Sequence, residues 1–118
     1  MKYLYFILFF TICFNVLKAQ KRKFTNEQKA AYYTQQLVDS LNISEKQRLQ
    51  AFEVNFMVSN SMDSLYKNIG DDKQRRRAMV DVFKKRDSLF RTILTNEQFL
   101  RFDDMEREKR EQKKKKKE

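Results

Sequence analysis

The residues able to do covalent chemistry are nearly absent from this chain. It contains no histidine and one cysteine, Cys13, which sits inside the apolar segment Tyr3–Val16. Gly70 is the only glycine, so no glycine-rich phosphate loop can form, and no nucleophile stands at a spacing that puts a base beside it. Neighbouring carboxylates such as Asp103 and Asp104 point about 100° apart on a helix and cannot share a proton as an acid–base pair. Metal sites lose their usual nitrogen and sulfur ligands, and Glu106, Glu108 and Glu111 read as a solvated helix face. The expectation is a non-enzymatic chain with no catalytic residue, no metal and no cofactor.

What the chain does supply is positive charge beside large apolar side chains. Lysine and arginine number 26 against 16 acidic residues, a net charge of +10. The excess is uneven: residues 25–69 carry four basic and five acidic groups, while residues 70–118 carry seventeen and eleven. Lys73, Arg75, Arg76, Arg77, Lys84, Lys85, Arg86 and Arg91 crowd one segment that holds four aspartates. Such charge speeds encounter with acidic polymers, and adjacent Phe or Met side chains adapt to varied apolar sequences. That pairing suits non-covalent capture of unfolded or misfolded polypeptide. The expected contact residues are Arg75, Arg76, Arg77, Lys84 and Lys85 for charge and Leu49, Phe52 and Phe56 for apolar surface.

The elements that position these residues are all helical. The chain has no proline, one glycine and an abundance of good helix formers. It also writes Ser/Thr-x-x-Gln three times: Thr25–Gln28, Ser44–Gln47 and Thr95–Gln98. This spacing is a capping box, in which the hydroxyl accepts from the N3 backbone N–H and the glutamine returns a bond to the cap N–H. A fourth start, Asp71 to Gln74, follows Gly70, a residue suited to a helix C-terminus. Leu94 and Phe99 also stand where a hydrophobic staple would join them. Four helices follow, over 25–41, 44–69, 71–93 and 95–112.

Their apolar faces predict how they pack. The first gathers Ala30, Tyr33, Leu37, Val38 and Leu41. The third gathers Ala78, Met79, Val82, Phe83, Leu89, Phe90 and Ile93, with Arg86 interrupting the middle. The second carries a main stripe of Ala51, Val54, Val58, Met62, Leu65 and Ile69, and nearly opposite it Leu49, Phe52 and Phe56. A helix apolar on two faces must touch two things: the third helix, arriving through the tight turn at Gly70, covers one face, and the other meets the first or fourth helix, another subunit or a client. The second and third helices would run about 39 Å and 35 Å. A hairpin that long and thin suggests burial of the spare stripe by homodimerisation.

The start of the chain reads as an export signal. Met1-Lys2 precedes an apolar run of roughly 14 residues, short of the ~20 that span a membrane, and Ala19 offers a cleavage point. Lys18, Lys21, Arg22 and Lys23 follow the run, a charge order that disfavours translocation and keeps an uncleaved N-terminal anchor as the second reading. Cleavage after Ala19 would leave 99 residues for a single domain, a net charge of +8 and no cysteine for a disulfide. The location expected is periplasmic or secreted.

A short exported helical chain with this motif pair resembles the Spy/CpxP-like group of periplasmic proteins. The matching stretches are Ile43-Ser44-Glu45-Lys46-Gln47, Leu94-Thr95-Asn96-Glu97-Gln98 and the charged-then-apolar approach from Arg86 to Ile93, and the likeness spans 24–105. The resemblance implies a cradle-shaped antiparallel homodimer of long helical hairpins. It also implies an ATP-independent chaperone whose concave face mixes basic charge with apolar patches, or a relative that dampens envelope-stress signalling. Metal-sensing relatives are a poorer fit, because the chain beyond Ala19 has no histidine or cysteine.

The end of the chain departs from that pattern. Glu106–Glu118 contains no apolar residue, and Lys113, Lys114, Lys115, Lys116 and Lys117 read as a disordered tail after a single domain over 20–112. The run could contact anionic lipid headgroups or other polyanions. Nucleic acid is not an expected partner for an exported protein. Two functions are therefore in view: a chaperone-like client binder, and a non-enzymatic envelope adaptor that holds anionic surfaces through its basic half and tail.

Overall fold

A computed structural model describes residues 23–117. The expected signal segment 1–19, its cleavage site and Cys13 lie outside the described residues. Within them the protein is all-α: α1 spans Asn26–Leu41, α2 Glu45–Asn68, α3 Asp72–Ile93 and α4 Asn96–Lys117. Each helix starts one residue after the cap expected for it. Thr25 and Ser44 close complete capping boxes with Gln28 and Gln47, and Asp71 accepts from the Gln74 N–H. Thr95 does the same for α4, with Thr95 N–H donating to Gln98 Oε1 at 3.0 Å and Gln98 N–H to Thr95 Oγ1 at 3.2 Å.

The breaks between helices are short, so consecutive helices must turn back on one another. Asn42 ends α1 in the left-handed region (φ 52°, ψ 51°), a conformation that asparagine tolerates better than most residues. Gly70 does not play the left-handed role its position suggested. It has no positive φ, and a Cβ there would meet nothing within 4 Å. The α2–α3 turn is instead held by Arg75. Its guanidinium donates to Ile69 O at 3.1 Å, pairs with Asp72 and lies 4.7 Å from the centre of the Tyr66 ring.

α2 is the spine. α1 runs antiparallel along one side, with Asn26 Nδ2 donating to Asn60 Oδ1 at 2.9 Å and to Asp63 Oδ2 at 2.7 Å. α3 runs antiparallel along the other, its last carbonyl, Ile93 O, accepting from Gln47 Nε2 at 3.1 Å. The backbones of α1 and α3 do not approach one another, and neither do those of α2 and α4. α4 bridges α1 and α3 above the spine. The core forms at one end of this arrangement, from Leu37, Leu41, Ala51, Val54, Phe90, Leu94 and Phe102, with Ile43, Leu89, Ile93, Phe99 and Met105 packed against it. Phe90 and Phe102 meet edge to face with centroids 5.0 Å apart.

Three expectations require correction. Tyr33 is 48% exposed, and Thr34 takes the buried place on α1 because its hydroxyl accepts from Asn55 Nδ2 at 3.0 Å and donates to Ala30 O at 2.7 Å. The half of α3 carrying Ala78, Met79, Val82 and Phe83 is only half-buried, since the backbone of α1 does not come near it. Lys113, Lys114, Lys115, Lys116 and Lys117 are helical, the last turns of α4, rather than a disordered tail. Lysine is a good helix former, cations favour a helix C-terminus, and Glu111 stands four residues before Lys115 in the helix-supporting order.

Candidate binding cleft

The separation of α2 from α4 has opposite consequences at the two ends of the molecule. At the core end, Phe102 and the motif glutamines fill the gap. Gln47 Nε2 donates to Gln98 Oε1 at 2.7 Å, while each glutamine Oε1 also accepts from its own cap N–H, at 2.8 Å for Ser44 and 3.0 Å for Thr95. The two motifs therefore clasp one another as well as starting their helices. Towards the other end nothing of comparable size fills the gap, and a cleft of about 610 Å³ opens among all four helices.

Its surfaces follow from the faces described above. The floor is α2, with Val58 and Met62 beside the polar Asn55 and Ser59. One wall is α1, with Lys29, Tyr33, Gln36 and Leu37, and the other is α3, with Phe83, Arg86 and Phe90. The roof is α4, which presents Phe102, Met105, Glu106, Lys109, Lys113 and Lys116 at helical spacing. Five cations line the cleft, Lys29, Arg86, Lys109, Lys113 and Lys116, against one carboxylate, Glu106.

Arg86 organises the charged part of this surface. Its guanidinium lies 4.8 Å from the centre of the Phe83 ring and 5.1 Å from that of Phe102, so two aromatic faces orient it. Its Nε donates to Asp87 Oδ1 at 3.0 Å, one terminal nitrogen lies 2.9 Å from the same oxygen, and the contact of the other terminal nitrogen, to Glu106 Oε2, is long at 3.5 Å. Glu106 also accepts from Lys109 at 3.4 Å, and Lys109 donates to Gln36 on α1 at 3.2 Å. The roof at this end is thus tied down by polar contacts. Glu106 is half-buried in the cleft, correcting its reading as a purely solvated residue, while Glu108 and Glu111 are exposed.

None of the expected contact residues lines the cleft. Phe52 and Phe56 are half-buried and stacked, with centroids 6.1 Å apart and rings 7° from parallel. They stand in helical register with Asn60 and Asp63, which Asn26 of α1 bonds, so this face of α2 turns toward α1. Leu49 is 55% exposed. Arg75 serves the α2–α3 turn, and Arg76, Arg77, Lys84 and Lys85 are exposed on α3, on the opposite side of the spine from Phe52 and Phe56. The motif residues Ile43, Ser44, Gln47, Leu94, Thr95 and Gln98 lie at the core end, where Leu94 is buried and Ile43 packs against the core.

Signals for the cleft were present in the sequence as interruptions. Arg86 breaks the apolar face of α3, Asn55 and Ser59 border the apolar stripe of α2, and Met105, Lys109, Gln112 and Lys116 recur at steps of four, three and four. No family model, curated protein or solved structure matches this chain. No helix among the described residues is long and apolar enough to cross a membrane, and no cluster of three histidine, cysteine or carboxylate residues suited to a metal stands among them.

Proposed function

We propose that this protein is a non-enzymatic, ATP-independent, chaperone-like protein of the Spy/CpxP-like kind, exported to the periplasm or beyond, that holds unfolded or misfolded polypeptide. The observation that carries this reading is the cleft, in which five cations surround a floor and walls of Tyr, Phe, Met and Val side chains. Cations draw in acidic segments, and Met62 and Met105 offer flexible, polarizable surface that accommodates more than one apolar sequence. Contacts of this kind are individually weak, so release needs no nucleotide. The proposal moves client contact away from Leu49, Phe52 and Phe56. A homodimer joined through the half-buried part of α3, and a link to envelope stress, belong to the same reading.

The test uses purified protein, without nucleotide, added to a chemically unfolded enzyme whose aggregation is followed by light scattering. Suppression at near-stoichiometric amounts is expected, weakened by salt because exposed charges are screened beyond about 10 Å at 0.1 M. The triple change Lys109→Glu, Lys113→Glu, Lys116→Glu should abolish it with helicity retained, whereas Leu49→Ser should not. Absence of suppression at several-fold excess would refute the reading. The adaptor reading is favoured by a separate feature: Lys114, Lys115 and Lys117 are exposed on α4 outside the cleft. It predicts low-salt binding to anionic liposomes that survives the charge reversals least well when those three are the residues changed.

A further inference from the structure

Within the client-binding reading, on which this inference rests, the cleft holds one arginine whose pairing across the cleft is weak. Four of its five cations come from α1 and α4; the fifth, Arg86, comes from α3 and has only 12% of its side chain exposed. Asp87 already pairs with two of the three guanidinium nitrogens, at 3.0 Å to Nε and 2.9 Å to one terminal nitrogen. The other terminal nitrogen is offered to Glu106 at 3.5 Å, the outer limit of a hydrogen bond rather than the 2.7–2.9 Å typical of a strong charge-assisted one. Phe83 and Phe102 hold the guanidinium plane where it is. The second tie on Glu106, from Lys109, is also long at 3.4 Å.

We infer that the cleft takes a peptide segment bearing an acidic side chain flanked by apolar residues, that Arg86 receives the acidic group, and that Glu106 is the built-in competitor it displaces. The occupant is polypeptide of acidic and apolar composition, because the cationic excess of the lining calls for an anion while Met62, Met105, Tyr33 and Phe83 call for apolar neighbours on either side of it. Displacing Glu106 also releases one of the two polar contacts that join the outer part of α4 to its neighbours, the other being Lys109 to Gln36. Specificity would come from the carboxylate on Arg86, and affinity from the rings and thioethers around it.

The experiment measures fluorescence anisotropy of three peptides carrying a neutral fluorophore, identical in their apolar residues and differing in having glutamate, glutamine or lysine at the central positions. The glutamate peptide should bind the protein at least tenfold more tightly than the glutamine peptide, and the lysine peptide should bind least. Glu106→Gln should tighten the glutamate peptide several-fold, and by a clearly larger factor than the glutamine peptide, a selective gain that damage to the fold cannot mimic. Arg86→Lys, which keeps the charge but loses the fork, should weaken the glutamate peptide. Equal binding of the three peptides, or a Glu106→Gln variant that binds the glutamate peptide no better, would overturn the inference and leave client capture standing. Failure of every peptide to bind, together with no suppression of aggregation, would overturn both.

Discussion

The two ends of the space between α2 and α4 are built from the same helices and end up with opposite properties. At the core end, Phe90 is 1% exposed and Phe102 4%, aliphatic side chains from every helix or its flanking turn surround them, and two glutamine amides seal the edge. At the cleft end, the corresponding turns of α2 and α4 present Asn55, Ser59, Lys109, Lys113 and Lys116. The difference lies in side-chain choice along continuous helices. Where α4 sets the large apolar Phe102 and Phe99 against the core, the gap closes and stabilises the fold; where it sets Lys109, Lys113 and Lys116 over Val58 and Met62, the gap stays open to solvent and becomes available for binding.

The largest effect expected from this contrast is on stability. Phe90→Ala should cost about 3–5 kcal/mol, the usual loss for a fully buried ring, read as a lower midpoint in urea denaturation. Met62→Ala, on the floor of the cleft, should cost clearly less, because Met62 is only half-buried and already faces open space. Equal costs would mean that the cleft is closed in solution.

A smaller effect concerns the clasp between the motifs. Gln47→Ala and Gln98→Ala each remove half a capping box and one side of the inter-helix amide bond, and each should cost about 1–2 kcal/mol. Since the two side chains bond each other at 2.7 Å, the double variant should lose less than the sum, with a coupling of about 0.5 kcal/mol or more in a double-mutant cycle. Strict additivity would show that the boxes act only within their own helices.

The smallest effect is a pH dependence on the exposed surface of the core end. Glu45 opens α2 and accepts from Arg48 Nε at 2.8 Å, and that hydrogen bond holds its carboxyl below the ordinary value of 4.5, while the carboxylate raises the Arg48 guanidinium. A carboxyl lowered in the folded state stabilises that state above its unfolded pKa, and the contribution is lost as pH falls through the folded value. The stability difference between the protein and Glu45→Gln should therefore be constant at neutral pH and shrink on acidification below 4.5, in parallel urea titrations. Both groups are solvent-exposed, so the change should be slight.

These regions were unequally legible in the sequence. Helix starts were legible because a capping box is local: Ser44 and Gln47 find each other within one turn whatever the rest of the chain does. That Gln47 would go on to bond Gln98, 51 residues later, depends on how α3 returns to the start of α2. Hydropathy placed Tyr33 inward on α1, but the interface is set by Thr34 bonding Asn55, a polar pair that an apolar count ranks as surface. The cleft was hidden for the same reason. Arg86 looks like an interruption of an apolar face until Phe83 and Phe102 are seen on either side of its guanidinium.

The account turns on where an unfolded chain makes contact, and site-specific photo-crosslinking measures that directly. A benzophenone amino acid replaces Tyr33, on the wall of the cleft, or Leu49, on the outer face of α2, and each variant is illuminated with a chemically unfolded client. The account predicts strong crosslinks from position 33, reduced by salt, and little above background from position 49. Crosslinking from position 49 with none from position 33 would contradict it and return client contact to the outer face of α2.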